Sequence, residues 1–443
     1  MAKLDNHPTV LAVRSKPSSS GSSIAMTLQE VREMCLDAGA ADSGAISLER
    51  PEMSGERGEI LKTFPWARTL VSIVCRMNAE PIRSPARSVA NLEFHATNDE
   101  VNKVARMVVA KLALRGARAS NPSVGFPSEM DGFPGKIWLI SHKVVAEASG
   151  MGRMGIHRNV IHPKFGSFIL LGTIVTDAVI AADSEPIDYN PCLDCKLCIA
   201  ACPVGAIAED GFNFASCYTH NYREFMGGFT DWVETIADSG SAQEYRAKVS
   251  DNETASMWQS LSFGANYKAA YCLSVCPAGE DVIGRFLEDR AGFIKETVKP
   301  LQEKTETVYV LPKSDAEDHV TKRFPHKPVK RVGAVLRPTT IAGFIRTMHA
   351  GFQPNRAAGV NAVYHFRFKG EESGLCTVTI RGGKIEVRDG LFGTCDLRIT
   401  ASGRSWLRFL RKETSIVWLL LTLRVRLRGD PRLLPLFGRC FAG

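Results

Sequence analysis

The chain has 443 residues, 44% of them apolar and 23% charged, which excludes a disordered, collagenous or fibrous polypeptide and allows two or three domains with their own cores. Lys+Arg 55 against Asp+Glu 47 leaves a formal charge of +8, and much of the excess falls in "RSWLRFLRK" and "LRVRLRGDPRLLPLFGR" near the C-terminus. That end is expected either to meet an anionic surface peripherally or to carry a solvated basic face. No basic tract is interleaved with aromatics, so DNA is not an expected partner.

In chain order, "MAKLDNHPTVLAVRSKPSSSGSS" lacks the apolar core of an export signal, and residues 1–26 read as the disordered tail of a cytoplasmic protein. Thr27 and Glu30 then stand at capping-box spacing ahead of Leu28, Val31 and Cys35, which share one helical face. "GAISL" and "TLVSIVCRM" read as buried strands, and "VNKVARMVVAKLALRG" as a helix with Val101, Val104, Ala105, Val108 and Leu112 inward. "KIWLIS" and "SFILLGTIVT" read as two more buried strands. This alternation predicts an α/β layer fold over residues 27–188.

The next module, over 189–298, is cysteine-rich and is expected to be a ferredoxin-like α+β double-cluster unit, with an aromatic-rich insert at 218–268 that reads as a packed cap. Residues 299–330 are charged and proline-punctuated, a linker with one short strand. Residues 331–443 predict a small α+β domain. There "NAVYHFRFKG" places Tyr364, Phe366 and Phe368 on one face, and "CTVTIRGGKIEVRDG" is a hairpin turning at Gly382–Gly383. "CDLRITAS" is a further strand, and "RSWLRFLRKE" and "SIVWLLLTLRV" are helices. The apolar run from Ile416 to Leu423 is far short of the about 20 residues of a membrane span, so no transmembrane segment is expected.

Twelve cysteines in a chain of cytoplasmic character point to metal ligation rather than disulfides. Cys192, Cys195, Cys198 and Cys202, the last preceding Pro203, have the C-x2-C-x2-C-x3-C-P spacing of bacterial ferredoxins, where the fourth cysteine serves the other cluster. Zinc is the alternative, but zinc sites usually pair two C-x2-C knuckles, or cysteine with histidine at longer separation. By the exchange rule Cys276 completes the first site, a 4Fe–4S cluster, and Cys202, Cys217 and Cys272 belong to the second. The place three residues before Cys272, where a second motif carries a cysteine, is Ala269. The second cluster is therefore expected to be 3Fe–4S, or 4Fe–4S with a non-cysteine ligand, for which His220 and Tyr271 are candidates. Cys35, Cys75, Cys376, Cys395 and Cys440 read as buried small hydrophobes.

"GMGRMG" matches G-x-G-x-x-G at Gly150, Gly152 and Gly155. A dinucleotide loop leaves a strand and enters a helix, whereas "HKVVAEAS" reads helical and the stretch after the glycines is broken by Pro163 and Gly166, so nicotinamide binding is not expected. Two readings stay open: a surface that a flat or phosphorylated cofactor approaches closely, or helix–loop packing. His142, His157 and His162 flank the glycines; they are either ordinary hydrogen-bonding residues or, for His142 and His157, the acid–base pair of a site.

"AEASGMGRMGIHRNVIHPKFGSFILLGTIVTD" together with "CLDCKLCIAACPVGA" resembles the core shared by epoxyqueuosine reductases and corrinoid-dependent reductive dehalogenases, over about 27–298. The resemblance implies a glycine-rich segment cradling base-off cobalamin and a double 4Fe–4S module feeding electrons to cobalt. Carried over, Gly150, Gly152, Gly155, Gly166, Ser167 and Gly172 would face that cofactor. The catalytic aspartate of the epoxyqueuosine enzymes has no clear match in "GKIWLISHKVV", which with the missing cysteine sets the tRNA reaction apart. Residues 331–443 resemble a sterol carrier protein type 2 domain, through "AVYHFRF", "RGGKIEVRDG", "CDLRITASGRSWLRFL" and "LRVRLRGD". This implies a lipid-carrier-like fold whose apolar tunnel takes lipid or acyl ligands, or which only packs. These likenesses imply one of two functions. One is an iron–sulfur oxidoreductase, fed by a ferredoxin- or flavodoxin-type donor, that reduces a corrinoid or an apolar substrate directly, with tRNA a less expected partner. The other is a non-catalytic electron-transfer or lipid-binding protein.

Overall fold

The computed structural model describes residues 5–15, 24–122, 138–181, 183–333 and 337–441. Thr27 accepts the Glu30 amide while the Glu30 carboxylate accepts the Thr27 amide, so the helix Leu28–Asp37 begins on its predicted capping box. The strands of the N-terminal half are β1 (Ala25–Met26), β2 (Asp42–Ser47), β3 (Thr69–Arg76), β4 (Ala119–Ser120), β5 (Arg153–Met154), β6 (Val160–Ile161), β7 (Ile169–Thr176) and β8 (Val179–Ile180). Four of them form a sheet in the order β2-β3-β7-β4, antiparallel at every pair. Helices cover both faces: Val71, Ile73 and Cys75 point to Leu28–Asp37 and the long helix Arg87–Leu114, and Leu70 and Val74 point to the helix His142–Ala148. Burial on both faces is why β3 reads as an unbroken apolar run.

Three expectations change. The stretch read as a disordered tail contributes β1, which pairs with β8, and a short helix, Pro8–Arg14, that the His7 side chain caps and Pro8 opens. The helix expected from Val101 starts fourteen residues earlier, at Arg87. Its front half is anchored by polar contact: Asn91 donates to the Tyr267 carbonyl at 3.0 Å and accepts the Tyr267 amide at 2.9 Å. Residues 138–141 of "KIWLIS" are not a strand (residues 136–137 lie outside the described residues); both edges of β7 are taken by β3 and β4, and Ile140 instead fills the core beside Val145.

The cysteine-rich module is built from short helices, Leu197–Ala201, Phe214–Asn221 and Tyr271–Ser274. Its insert folds as three helices, Met226–Ala237, Ala242–Lys248 and Asp251–Phe263. Buried Glu224 ties the last of these down through Ser256, Ser260 and Lys268. Residues expected to be a linker with one strand carry two, β9 (Val308–Val310) and β10 (Val329–Arg331), paired in parallel around the helix Asp315–Arg323. Val308, Val310, Val320 and Phe324 join the core of Leu197, Ala201 and Val275. The few apolar positions of this stretch thus supply one side of the core that backs the cysteine motif.

The C-terminal sheet has the order β13-β12-β11-β14-β15, where β11 is Ala362–Lys369, β12 Gly374–Arg381, β13 Lys384–Asp389, β14 Leu397–Ser402 and β15 Val425–Gly429. The hairpin turns at Gly382 and Gly383, with φ of +55° and +70° as a type I′ turn requires. Tyr364, Phe366 and Phe368 line the core under the helices Ile341–Gly351 and Gly403–Leu410. The predicted helix from Ile416 ends at Leu421, and Val425 begins the edge strand instead. Fully buried Gln353 joins this sheet unit to the rest: its side-chain oxygen accepts the Asp315 amide at 3.0 Å and the Asn213 side chain at 3.5 Å. No helix among the described residues is long and apolar enough to cross a membrane.

Candidate functional site

The loop 192–198 wraps tightly because Asp194 and Lys196 take left-handed conformations, φ +51° and +60°, and Asn190 accepts the Cys192 amide at 3.0 Å. Cys192, Cys195 and Cys198 thereby line one narrow cavity, and Cys276 closes it from a distant part of the chain, with Ile156 and His157 on its wall. Cys276 is brought there by two close backbone bonds, Glu280 to the Pro163 carbonyl and Asp281 to the Lys164 carbonyl, both 2.9 Å. Cys202, Cys217 and Cys272 form a second neighbourhood, in which Cys272 and Cys202 raise the Cys217 thiol and Cys202 raises Cys272. Cys217 rides on the helix Phe214–Asn221, whose N-terminus Asn213 caps by accepting the Ser216 amide. The Ala206 amide reaches the Cys202 sulfur at 3.3 Å.

Burial dominates the electrostatics. It pushes the Cys276 thiol up to about 11 and Cys272 to about 12. Cys198 rises further, by burial first and then by Cys272, Cys276, Cys195 and Cys192, which places it between the two groups. Such thiols stay protonated until a strongly bound cation displaces the protons. Among the described residues no three His, Cys, Asp or Glu side chains close on one point as ligands of a single ion do; a cubane spreads its thiolates around a wider body, and the four-cysteine cavity suits that donor set.

The second group has no fourth cysteine. Ala269 occupies the place, buried, with its amide donating to the Asn221 side chain at 3.0 Å and its carbonyl accepting from Arg87 at 2.5 Å. Of the two sequence candidates, the Tyr271 hydroxyl is taken up by Glu306, to which it donates at 2.6 Å, whereas the His220 Nδ1 accepts the Tyr309 amide at 3.4 Å and its Nε2 is buried without a partner. Three groups that motif spacing did not reveal do stand there. Lys143 remains open to solvent as a residue, yet its ammonium senses the Cys272 and Cys217 thiols and donates to the Asn159 side chain at 3.0 Å. Asn159 in turn approaches the Cys272 sulfur at 3.7 Å. Tyr222, its pKa raised by burial, by Tyr267 and then by Cys217 and Cys272, completes the wall. Nothing in the sequence singles out Lys143 beyond its place on a short helix rich in Val and Ala.

The two histidines separate. His157 lines the four-cysteine cavity, its Nδ1 accepting the Asn159 amide at 3.1 Å and its Nε2 buried without a partner. Burial, then Lys143, lowers its pKa to about 4. His142 instead bonds Thr173 of β7 at 2.8 Å. His162 is committed to structure: its Nδ1 accepts the Lys164 and Phe165 amides, which leaves Nε2 to donate to Asp42 at 3.1 Å.

The glycines face their own chain. A methyl at Gly150 would meet the Glu185 carbonyl, at Gly152 the Ile161 carbonyl, at Gly155 the side chains of Ile161 and His157, and at Gly166 the Ala278 carbonyl. Gly172 lies inside β7 against Val101 and Ile73. Ser167 is buried beside Cys276.

No protein-family model matches the chain. Epoxyqueuosine reductase from Gloeobacter violaceus is 28% identical over 153 residues, 34% of this chain and 45% of the relative. The Cellulophaga algicola enzyme of the same name is 34% identical over 100 residues, 20% of this chain and 32% of the relative. The chain is similar to epoxyqueuosine reductases. It spans less than half the length of these relatives. Among solved structures, an epoxyqueuosine reductase from Streptococcus thermophilus matches with a TM-score of 0.34 and 18% identity, over 61% of this chain and 75% of the other. A catabolic reductive dehalogenase gives 0.33 and 15%, over 42% and 28%. A sterol carrier protein 2-like protein from Aedes aegypti gives 0.19 and 21%, over 21% and 87%. Scores of this size do not establish a shared fold.

Proposed function

We propose that residues 27–298 form an iron–sulfur oxidoreductase that carries electrons through two cluster sites to an organic acceptor. The observation behind this reading is the exchange of ligands: Cys276 joins Cys192, Cys195 and Cys198 around one cavity, while Cys202 leaves that motif for Cys217 and Cys272. Cys192, Cys195, Cys198 and Cys276 would hold one cluster and Cys202, Cys217 and Cys272 the other, and such clusters would supply one-electron transfer between an external low-potential donor of ferredoxin or flavodoxin type and the acceptor. His157 borders the four-cysteine cavity. Held neutral at pH 7 by burial and with its Nδ1 accepting the Asn159 amide, it presents its buried, unpartnered Nε2–H as a hydrogen-bond donor to the acceptor.

The glycines and Ser167 that the family resemblance assigns to a corrinoid are packed against their own chain, so they do not present a cradle for one. The relatives are named for epoxyqueuosine, and one such reductase was solved with a tRNA stem loop. The proposed acceptor here is instead a small apolar molecule. Anaerobic purification with iron, acid-labile sulfide and cobalt quantified, then electron paramagnetic resonance, tests the proposal. Iron and sulfide in near-equal amounts with two cluster signals are expected. Zinc without sulfide overturns the reading, and stoichiometric cobalt would restore a corrinoid seat.

A further inference from the structure

Arg83 carries a buried charge that the chain pairs poorly. It ends the short helix Ala79–Arg83, just after β3, and its side chain is only 9% exposed. The guanidinium lies over the rings of Phe168 and Phe293, 5.1 and 5.4 Å from their centres, and its Nε and Nη2 are buried without a hydrogen-bond partner. Glu80, the carboxylate beside it, stands at 3.6 Å, is itself 76% exposed, and is nearer to Arg285 at 3.3 Å. Withdrawing a charge from water without a close partner is costly, so the position asks for an anion that the chain does not supply.

Arg83 lines a cavity of about 400 Å³, the size of seat that a small organic molecule takes. Its apolar walls are Met77, Phe165, Phe168 and Val282. The acids of the lining are engaged or turned to solvent: Asp281 pairs with Arg76 at 3.4 Å, Glu80 with Arg285, and Glu288 is exposed. The least exposed charge is therefore the positive one. The cavity adjoins the four-cysteine site. Phe168 follows Ser167, which lies beside Cys276, and the Ser274 hydroxyl donates to the Ile82 carbonyl at 2.6 Å. Burial is the main influence on Arg83 and lowers its pKa, whereas Glu80 and, more weakly, Cys276 raise it, so guanidinium and thiol lie within electrostatic reach of each other.

We propose that this cavity binds a small organic molecule with one carboxylate on an apolar body, the carboxylate meeting Arg83 and the body lying against Met77, Phe165 and Phe168. The assignment rests on the reductase reading above and narrows its acceptor to that class. Charge selects the occupant. A cation would meet its own sign in the least exposed charge. A phosphate dianion would face Glu80, Asp281 and Glu288 with a single poorly paired arginine to offset them. A neutral hydrocarbon fills the walls but leaves Arg83 as it is. A monocarboxylate satisfies both.

Titration calorimetry of the anaerobically purified chain with hexanoate, and with hexanamide as its neutral isostere, tests the proposal. Hexanoate should bind about tenfold or more tightly than hexanamide, the ratio that one charge-assisted hydrogen bond supplies, and should shift the electron paramagnetic resonance signal of the four-cysteine cluster. Arg83→Met should abolish the preference. Gly284→Phe should abolish binding of both probes, because Gly284 lines the cavity and a Cβ there meets nothing, which leaves the ring room to enter; this variant carries the test if Arg83→Met impairs folding. Equal affinity for the two probes, hexanoate binding indifferent to both variants, or binding that leaves the cluster signal unchanged would each overturn the assignment. Iron and sulfide quantified on the same sample separate it from the reductase reading: their absence overturns the reductase, whereas clusters without a carboxylate preference overturn this cavity alone.

Discussion

Gly166→Ala separates the two roles open to the glycine segment. Gly166 has φ +63°, and a methyl on its Cα would run into the Ala278 carbonyl, two residues beyond Cys276. Gly279 meets it from the opposite side, so the turn 162–167 and the loop that delivers Cys276 cross with no room for a side chain. An alanine there costs about 1–2 kcal/mol for its left-handed backbone and about 1–3 kcal/mol for the overlap, so roughly 2–5 kcal/mol out of a total of about 5–15 kcal/mol. The cheapest relief is for the loop to retreat, which carries Cys276 away from Cys192, Cys195 and Cys198. Urea unfolding together with iron analysis is the assay, with Gly211→Ala, where a methyl meets nothing, as control. The expected variant is less stable and loses the four-cysteine cluster while keeping the other. Full iron and a stability within about 0.5 kcal/mol of wild type would show that the crossing does not position Cys276.

Ala269→Cys supplies the missing thiolate on a backbone held by Asn221 and Arg87; conversion of the second site to the signal of an ordinary four-cysteine cubane is expected, and unchanged iron and spectrum would refute the site assignment. Lys143→Met removes a positive charge from beside Cys217 and Cys272 and should lower the reduction potential of that cluster by roughly 40–90 mV, the equivalent of about 1–2 kcal/mol of screened attraction; an unmoved potential in a spectroscopically monitored titration would exclude that role. Burial holds His220 at about 4, below its ordinary 6.5. The unfolded chain therefore takes up a proton between these values that the folded chain refuses, so stability falls as pH drops from 6.5 to about 4, by on the order of 3 kcal/mol. In His220→Asn that part of the slope should vanish, and parallel pH–stability curves for the two proteins would contradict it.

The grouping of Cys276 with Cys192, Cys195 and Cys198 around one cavity was legible from cysteine spacing alone. The groups around the cysteines were not, because they are set by tertiary contact. Lys143 looks like one more surface lysine until the helix His142–Ala148 is laid on the sheet, and Asn159 has no motif. The front of the helix Arg87–Leu114 was hidden for the same reason: Asn91 and Thr97 occupy buried positions where periodicity looks for apolar residues. The glycines show the opposite failure. Their spacing carried a strong signal, and close approach is what they permit, but the surface approached is the protein itself.

Gln353 gives the proposed cluster site a mechanical reach. The Asn213 side chain that caps the Cys217 helix also holds Gln353, and Gln353 holds Asp315 and, through its amide, the Cys440 carbonyl at 2.8 Å. Loss of iron that unwinds the Cys217 helix therefore slackens the joint on which the C-terminal sheet is mounted. A chain stripped by oxygen should surrender that sheet to limited proteolysis as a discrete fragment before the loaded chain does.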